Sequence, residues 1–204
     1  FAVDLACRGG SLEFLDKLIQ FGAKVNVKDY QGRSPAFQAC EYVNEQVFDK
    51  LLASGINVKD VDESGVSLIH IVCKKGGSIG ILQKLLEAGV SINCTDKEGR
   101  TPLFYTCDYG NSEVFEKLIE LGADINLKND SGKTLLSFAC SVVQKASMVQ
   151  SLLDRGVNAN EAGKDGSCPI HEASKSGSIQ IFDKLIQAGA SQSCKDNFGM
   201  TPVH

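Results

Sequence analysis

The chain has 204 residues, is 43% hydrophobic and 23% charged, and carries a net charge of −4, the profile of an ordinary folded protein. The acidic balance argues against nucleic-acid binding, which needs an excess of Lys and Arg. No apolar run reaches the roughly 18–20 residues of a membrane span, so no membrane insertion is expected, and Phe1 to Gly10 lack the apolar stretch of a secretion signal.

In chain order, the sequence opens inside a first helix containing Cys7. Phe14, Leu15, Leu18 and Ile19 follow at i, i+1, i+4, i+5, the apolar stripe of a second helix, which Gly22 ends. Asp29-Tyr30-Gln31-Gly32 then has turn chemistry. Ser34-Pro35 opens the next helix, with a hydroxyl at the cap and proline in the first turn.

The series then recurs. Turn glycines stand at Gly32, Gly65, Gly99, Gly132, Gly166 and Gly199, in steps of 33 or 34 residues, and helix-ending glycines lie ten residues before each. Every period predicts a turn, a short helix such as Leu103 to Cys107, and a second helix such as that bearing Val114, Phe115, Leu118 and Ile119. One such unit cannot bury its stripe alone, so the units stack. The boundaries are a partial unit at 1–28, full units at 29–61, 62–95, 96–128, 129–162 and 163–195, and the start of another at 196–204, all in one array over 1–204. Neither end carries the polar cap that closes a solenoid, which predicts a segment of a longer chain.

Asp96-Lys-Glu-Gly-Arg-Thr-Pro-Leu103 and Leu118-Ile-Glu-Leu-Gly-Ala-Asp-Ile-Asn126 resemble an ankyrin repeat, and Asp196 to His204 resembles the opening of another. The resemblance implies an all-α repeat solenoid of ankyrin type: a β-turn finger plus an antiparallel helix pair per roughly 33 residues. It also implies that His70, His171 and His204, at the helix-start position, make hydrogen bonds tying fingers together. Phe37, Phe104 and Ser137 stand where that histidine is expected. Leu68 and Leu135 replace proline, and Cys168 replaces the capping hydroxyl, which predicts fraying of the helix starting at Pro169. The two 34-residue steps place an extra residue near Lys74–Ser78 and near Ser141–Ser147. The unit from Asn129 to Ala162 departs most and is expected to be the least stable.

Cys7, Cys40, Cys73, Cys107 and Cys140 repeat at one position and read as core residues. Stacked helices about 8–10 Å apart exceed the reach of a disulfide, about 7 Å between Cα atoms. Free thiols point to a reducing, cytoplasmic or nuclear compartment. No C-x-x-C pair is present, and His70 with Cys73 lacks a second pair, so no metal and no other cofactor are expected. Without a phosphate loop or a local Ser, His and acid set, the chain does not read as an enzyme.

The expected function is a protein–protein interaction scaffold. The alternatives are a regulatory or targeting arm of a larger enzyme, or a structural component of a cytoskeletal or ciliary assembly. The resemblance places contacts on finger tips and on the concave face of the first helices. There the candidates for partner binding are Tyr30, Arg33, Glu41, Tyr42, Lys74, Lys75, Lys97, Arg100, Asp108 and Tyr109, with Val66 as a further tip position. Tyr and Arg are favoured interface anchors. The set predicts an aromatic and basic groove for a protein partner with acidic and apolar residues.

Overall fold

The computed structural model describes residues 2–74, 76–142 and 144–203. Lys75 and His204 therefore lie outside the described residues. Among the described residues, six helix pairs follow one another: α1 (Ala2–Gly9) with α2 (Leu12–Gln20), α3 (Pro35–Glu41) with α4 (Glu45–Ala53), α5 (Leu68–Lys74) with α6 (Ile79–Glu87), α7 (Pro102–Tyr109) with α8 (Ser112–Glu120), α9 (Leu135–Cys140) with α10 (Ala146–Asp154), and α11 (Pro169–Ser176) with α12 (Ile179–Gln187). The odd-numbered helices stack in sequence, α1 on α3 through to α9 on α11. The even-numbered helices pack along a second row. Among the described residues, strand pairing is limited to the isolated bridges Val61–Ser67 and Lys128–Thr134.

The apolar stripes close the core. Val47, Phe48 and Leu51 of α4, Val114, Phe115 and Leu118 of α8, and Ile181 and Leu185 of α12 are buried. Each such side chain contributes about 1.5–3 kcal/mol of burial. The five inner-helix cysteines are buried free thiols. Helix α7 runs to Tyr109, beyond the expected Cys107, because Gly110 at φ 73° supplies the left-handed residue that ends it.

The extra residue of the unit starting at Asp62 lies in the link between α5 and α6. The Asn111 N–H bonds back to the Thr106 carbonyl, and Asn111 itself caps α8. In the longer link the Gly77 N–H keeps the equivalent bond to the Val72 carbonyl at 2.9 Å, and the capping role moves one position on, to Ser78. A side chain at position 77 would place its Cβ 2.2 Å from that carbonyl oxygen, so only glycine fits.

Four of the fingers are each built around one aspartate. In the first, the Asp29 carboxylate accepts the N–H groups of Gln31 and Arg33 at 2.8 and 2.9 Å. Asp62, Asp96 and Asp196 do the same in theirs. Adjacent fingers are joined by backbone bonds, among them Glu63 N–H to the Gln31 carbonyl and Lys97 N–H to the Ser64 carbonyl. Gly65, at φ +77°, is doubly required, because a Cβ there would meet the Lys97 nitrogen at 2.9 Å.

The histidines tie units as the resemblance implies. His70 Nε2 donates to the Arg100 carbonyl at 3.0 Å, and His171 Nε2 to the Met200 carbonyl at 3.1 Å. Their Nδ1 atoms accept the N–H groups of Ser67 and Cys168, so both rings are Nε2-protonated. That Cys168 bond holds the start of α11 although the capping hydroxyl is missing. Where phenylalanine replaces histidine, the buried hydroxyls of Ser34 and Thr101 lose their partner. In the unit where Ser137 takes the histidine position, Thr134 Oγ1 instead bonds Ser137 Oγ at 3.2 Å and accepts the Ser137 N–H.

Candidate protein-interaction surface

The finger bases and the exposed ends of α5 and α7 enclose a hollow of about 410 Å³. Arg33, Lys74, Lys97, Arg100, Asp108 and Tyr109 line it together, with Asp62, Glu63, Asp96 and Glu98. Tyr30 projects from its finger tip with 86% of its surface exposed, outside the hollow. Tyr42 ends α3 and lies under the Arg8 guanidinium at 5.4 Å. Glu41 is half-buried beside it. Val66, expected at a tip, is buried, because its N–H and carbonyl both serve the Asp62 turn.

The two arginines are held by the fold. Arg33 donates through Nε and a terminal nitrogen to Asp62 of the next finger, both at 3.2 Å. Arg100 Nε donates to Asp96 at 2.9 Å, while its guanidinium lies 5.0 Å from the Tyr105 ring. The Tyr105 hydroxyl donates to the same Asp96 oxygen at 2.7 Å. Burial works against the Asp96 carboxylate. The Arg100 N–H, the Tyr105 hydroxyl, the Glu98 N–H and the Arg100 guanidinium outweigh it and hold the carboxyl below its ordinary value. With five acidic and four basic residues on its lining, the hollow is of mixed sign rather than basic.

Lys74, Lys97, Asp108 and Tyr109 also reach solvent at the hollow. Lys74 Nζ lies 5.3 Å over the ring of Tyr109, which is half-exposed. Asp108 opens to solvent at the rim. Burial on the hollow side raises its carboxyl above the ordinary value, and Arg100, Lys145 and Lys74 offset that only in part. A carboxylate in this setting gains from a donor supplied by a docked segment.

A family model described as ankyrin repeats, in three copies, matches residues 69–161. This chain is an array of ankyrin repeats. The array is 29% identical over 204 residues to ankyrin repeat and SOCS box protein 3 of Bos taurus, covering 98% of this chain and 32% of that protein. It is 24% identical over 183 residues to a putative ankyrin repeat protein of Acanthamoeba polyphaga mimivirus, covering 87% of this chain and 24% of the relative. The chain thus spans about a quarter to a third of the length of these relatives. In structure it superposes on the human ASB11 ankyrin repeat domain with a TM-score of 0.88 at 24% identity, covering all of this chain and 90% of the other. Ankyrin repeats are protein-interaction modules, typically without catalytic activity. No helix among the described residues is long and apolar enough to cross a membrane.

One cluster escaped the sequence reading, which sought C-x-x-C pairs. Cys168-Pro-Ile-His171 is a C-x-x-H pair, and Cys194 of the same unit comes within 3.7 Å of His171 Nδ1. The ligand atoms of the three residues all lie within 4.8 Å of one another. Spacing along the chain gave no sign of Cys194, because the unit's second helix separates it from the pair.

Proposed function

We propose that the array holds a protein segment across the concave face of the units starting at Asp29, Asp62 and Asp96. The observation that carries this is the hollow beside Tyr109, where a half-exposed ring and an incompletely compensated carboxylate at Asp108 stand together. The segment suited to it offers an apolar residue to the Tyr109 and Lys74 pair and a hydrogen-bond donor to Asp108. Tyr42, Glu41, Lys97 and Tyr30 extend the face toward the tips, while Arg33 and Arg100 shape it. Free thiols on every unit but one, the unit starting at Asp29 included through Cys40, fit a reducing compartment.

The test is affinity purification from cytoplasmic and nuclear extracts with quantitative mass spectrometry. The native array is compared with a variant carrying Tyr42→Ala, Asp108→Asn and Tyr109→Ala. Arg100 is kept, because its removal would damage the Asp96 turn. The variant is expected to keep its helical circular dichroism and lose its captured proteins. An unchanged set of captured proteins on a folded variant sinks the reading.

A further inference from the structure

We propose that Cys168, His171 and Cys194 form a binding site for a thiophilic metal ion, Zn²⁺ by preference, with its fourth position open to solvent. Three observations carry it. First, the donor set is two sulfurs and an imidazole nitrogen, a combination that Zn²⁺ binds in tetrahedral geometry. With Zn–S near 2.3 Å and Zn–N near 2.0 Å, a tetrahedral site separates sulfur from nitrogen by about 3.5 Å. Cys194 Sγ stands 3.7 Å from His171 Nδ1, and no pair of the three donor atoms exceeds 4.8 Å.

Second, the imidazole is set in the tautomer that a metal needs. His171 Nε2 donates its proton to the Met200 carbonyl at 3.1 Å, the backbone support that metal-binding histidines commonly use. Nδ1 is therefore the bare nitrogen, and it faces the two sulfurs. It accepts the Cys168 N–H at 3.1 Å, and an ion bound there would take the place of that bond. Third, access is one-sided. Cys168 and His171 are buried, whereas Cys194 is partly exposed, which leaves a path for the ion and room for a water ligand.

The chain carries its own control. In the unit starting at Asp62 the same positions hold Ser67, His70 and Cys94. There Ser67 Oγ bonds His70 Nδ1 at 2.8 Å and meets Cys94 Sγ at 3.4 Å. A hydroxyl replaces one thiol, and a neutral hydrogen-bond network fills the place of the ion. Because that network folds, Cys168→Ser is a substitution the scaffold already accommodates.

The experiment titrates the full 204-residue chain with Co²⁺, a spectroscopic stand-in for Zn²⁺, under a non-thiol reductant. One equivalent of Co²⁺ is expected to give tetrahedral visible bands and a thiolate charge-transfer band, both abolished by one equivalent of Zn²⁺. Cys168→Ser and Cys194→Ser, each checked by circular dichroism, are expected to remove the charge-transfer band. Each should weaken Zn²⁺ by more than the roughly 10–100-fold that loss of a supporting group costs. Cys94→Ser is expected to leave both unchanged. Absence of the band in the native chain overturns the proposal, as does its persistence in both folded variants or its loss in Cys94→Ser alone.

Discussion

The orphaned hydroxyl of Thr101 gives a prediction that runs against its position. Thr101 caps α7, and replacing a capping hydroxyl ordinarily costs about 0.5–2 kcal/mol. Here the side chain makes no capping bond, and Oγ1 is buried without a partner because Phe104 stands where His70 and His171 stand in their units. A buried unsatisfied hydroxyl costs about 1–3 kcal/mol, and replacing it with an apolar group of the same shape is neutral or stabilising. Thr101→Val is therefore expected to change stability by between zero and about +1 kcal/mol, and φ −83°, ψ 168° suits a β-branched residue. Thr134→Val is the paired control. Its Oγ1 accepts the Ser137 N–H at 3.1 Å and bonds Ser137 Oγ, so its loss is expected to cost about 1–2 kcal/mol. At about 2–4 °C per kcal/mol for a chain of this size, the two melting temperatures should differ by at least about 2 °C, with Thr101→Val the higher. Scanning calorimetry measures the difference, and hydrogen exchange assigns it to a unit, since repeat arrays need not melt in one step. A Thr101→Val protein as destabilised as Thr134→Val would refute the reasoning.

His70→Phe, which copies the residue at Phe37 and Phe104, is expected to cost about 2–4 kcal/mol in urea unfolding, because the Ser67 N–H and the Arg100 carbonyl lose buried partners. Gly77→Ala should destabilise by about 1–3 kcal/mol through its clash with the Val72 carbonyl. Gly76→Ala, in open space at φ +68°, should cost only the left-handed backbone penalty of about 1–2 kcal/mol. Acid should weaken the fold in two windows of a urea-midpoint series. Burial, partly opposed by the Arg100 carbonyl and the Asp96 charge, lowers the His70 value, so the unfolded chain takes up the proton first and stability falls as pH drops below about 6.5. Asp96 is held below its ordinary value, so its contribution is complete above about 4 and is lost as pH falls through the folded value. Native-state thiol labelling should reach Cys94 and Cys194 before the inner-helix cysteines, since burial lifts the thiols of Cys7 and Cys107 to about 12.

What the sequence made legible was whatever repeats. The turn glycines, the paired apolar residues and the cysteine ladder each occur often enough for period alone to assign them, and each sits where that period put it. The extra residues were legible for the same reason, since a 34-residue step locates itself between two fixed markers. Side-chain partners were not legible. Arg33 and Arg100 occupy equivalent finger positions, yet Arg33 reaches Asp62 of the next finger and Arg100 turns back to Asp96. The difference follows from Tyr105, whose hydroxyl and ring give Arg100 a second partner within its own unit. Reading both arginines as free contacts made the groove look basic.

The same substitutions that broke the pattern make coupling along the stack uneven. The junction after the unit starting at Asp62 carries the His70 tie to the Arg100 carbonyl, and that after the unit starting at Gly163 carries the His171 tie to Met200. The junction after the unit starting at Asp96 has no histidine tie: it keeps the finger bond from the Asp130 N–H to the Glu98 carbonyl at 2.9 Å and the exposed Arg155–Glu116 pair, and Phe104 lies edge-on to Phe138 at 5.3 Å. It leads into the unit with the shortest inner helix, α9, and with an outer helix, α10, whose cap position is Lys145 and lacks a side-chain bond. In a stack governed by nearest-neighbour coupling, opening starts where a weak unit meets a weak junction. Backbone amides of α9 and α10 should therefore exchange before those of α5 to α8. Phe104→His, which puts an imidazole where His70 and His171 tie their units to the next finger, should slow that exchange. If α9 and α10 exchange no faster than α5 to α8 in the native chain, the polar ties do not set the order of opening and apolar burial alone does.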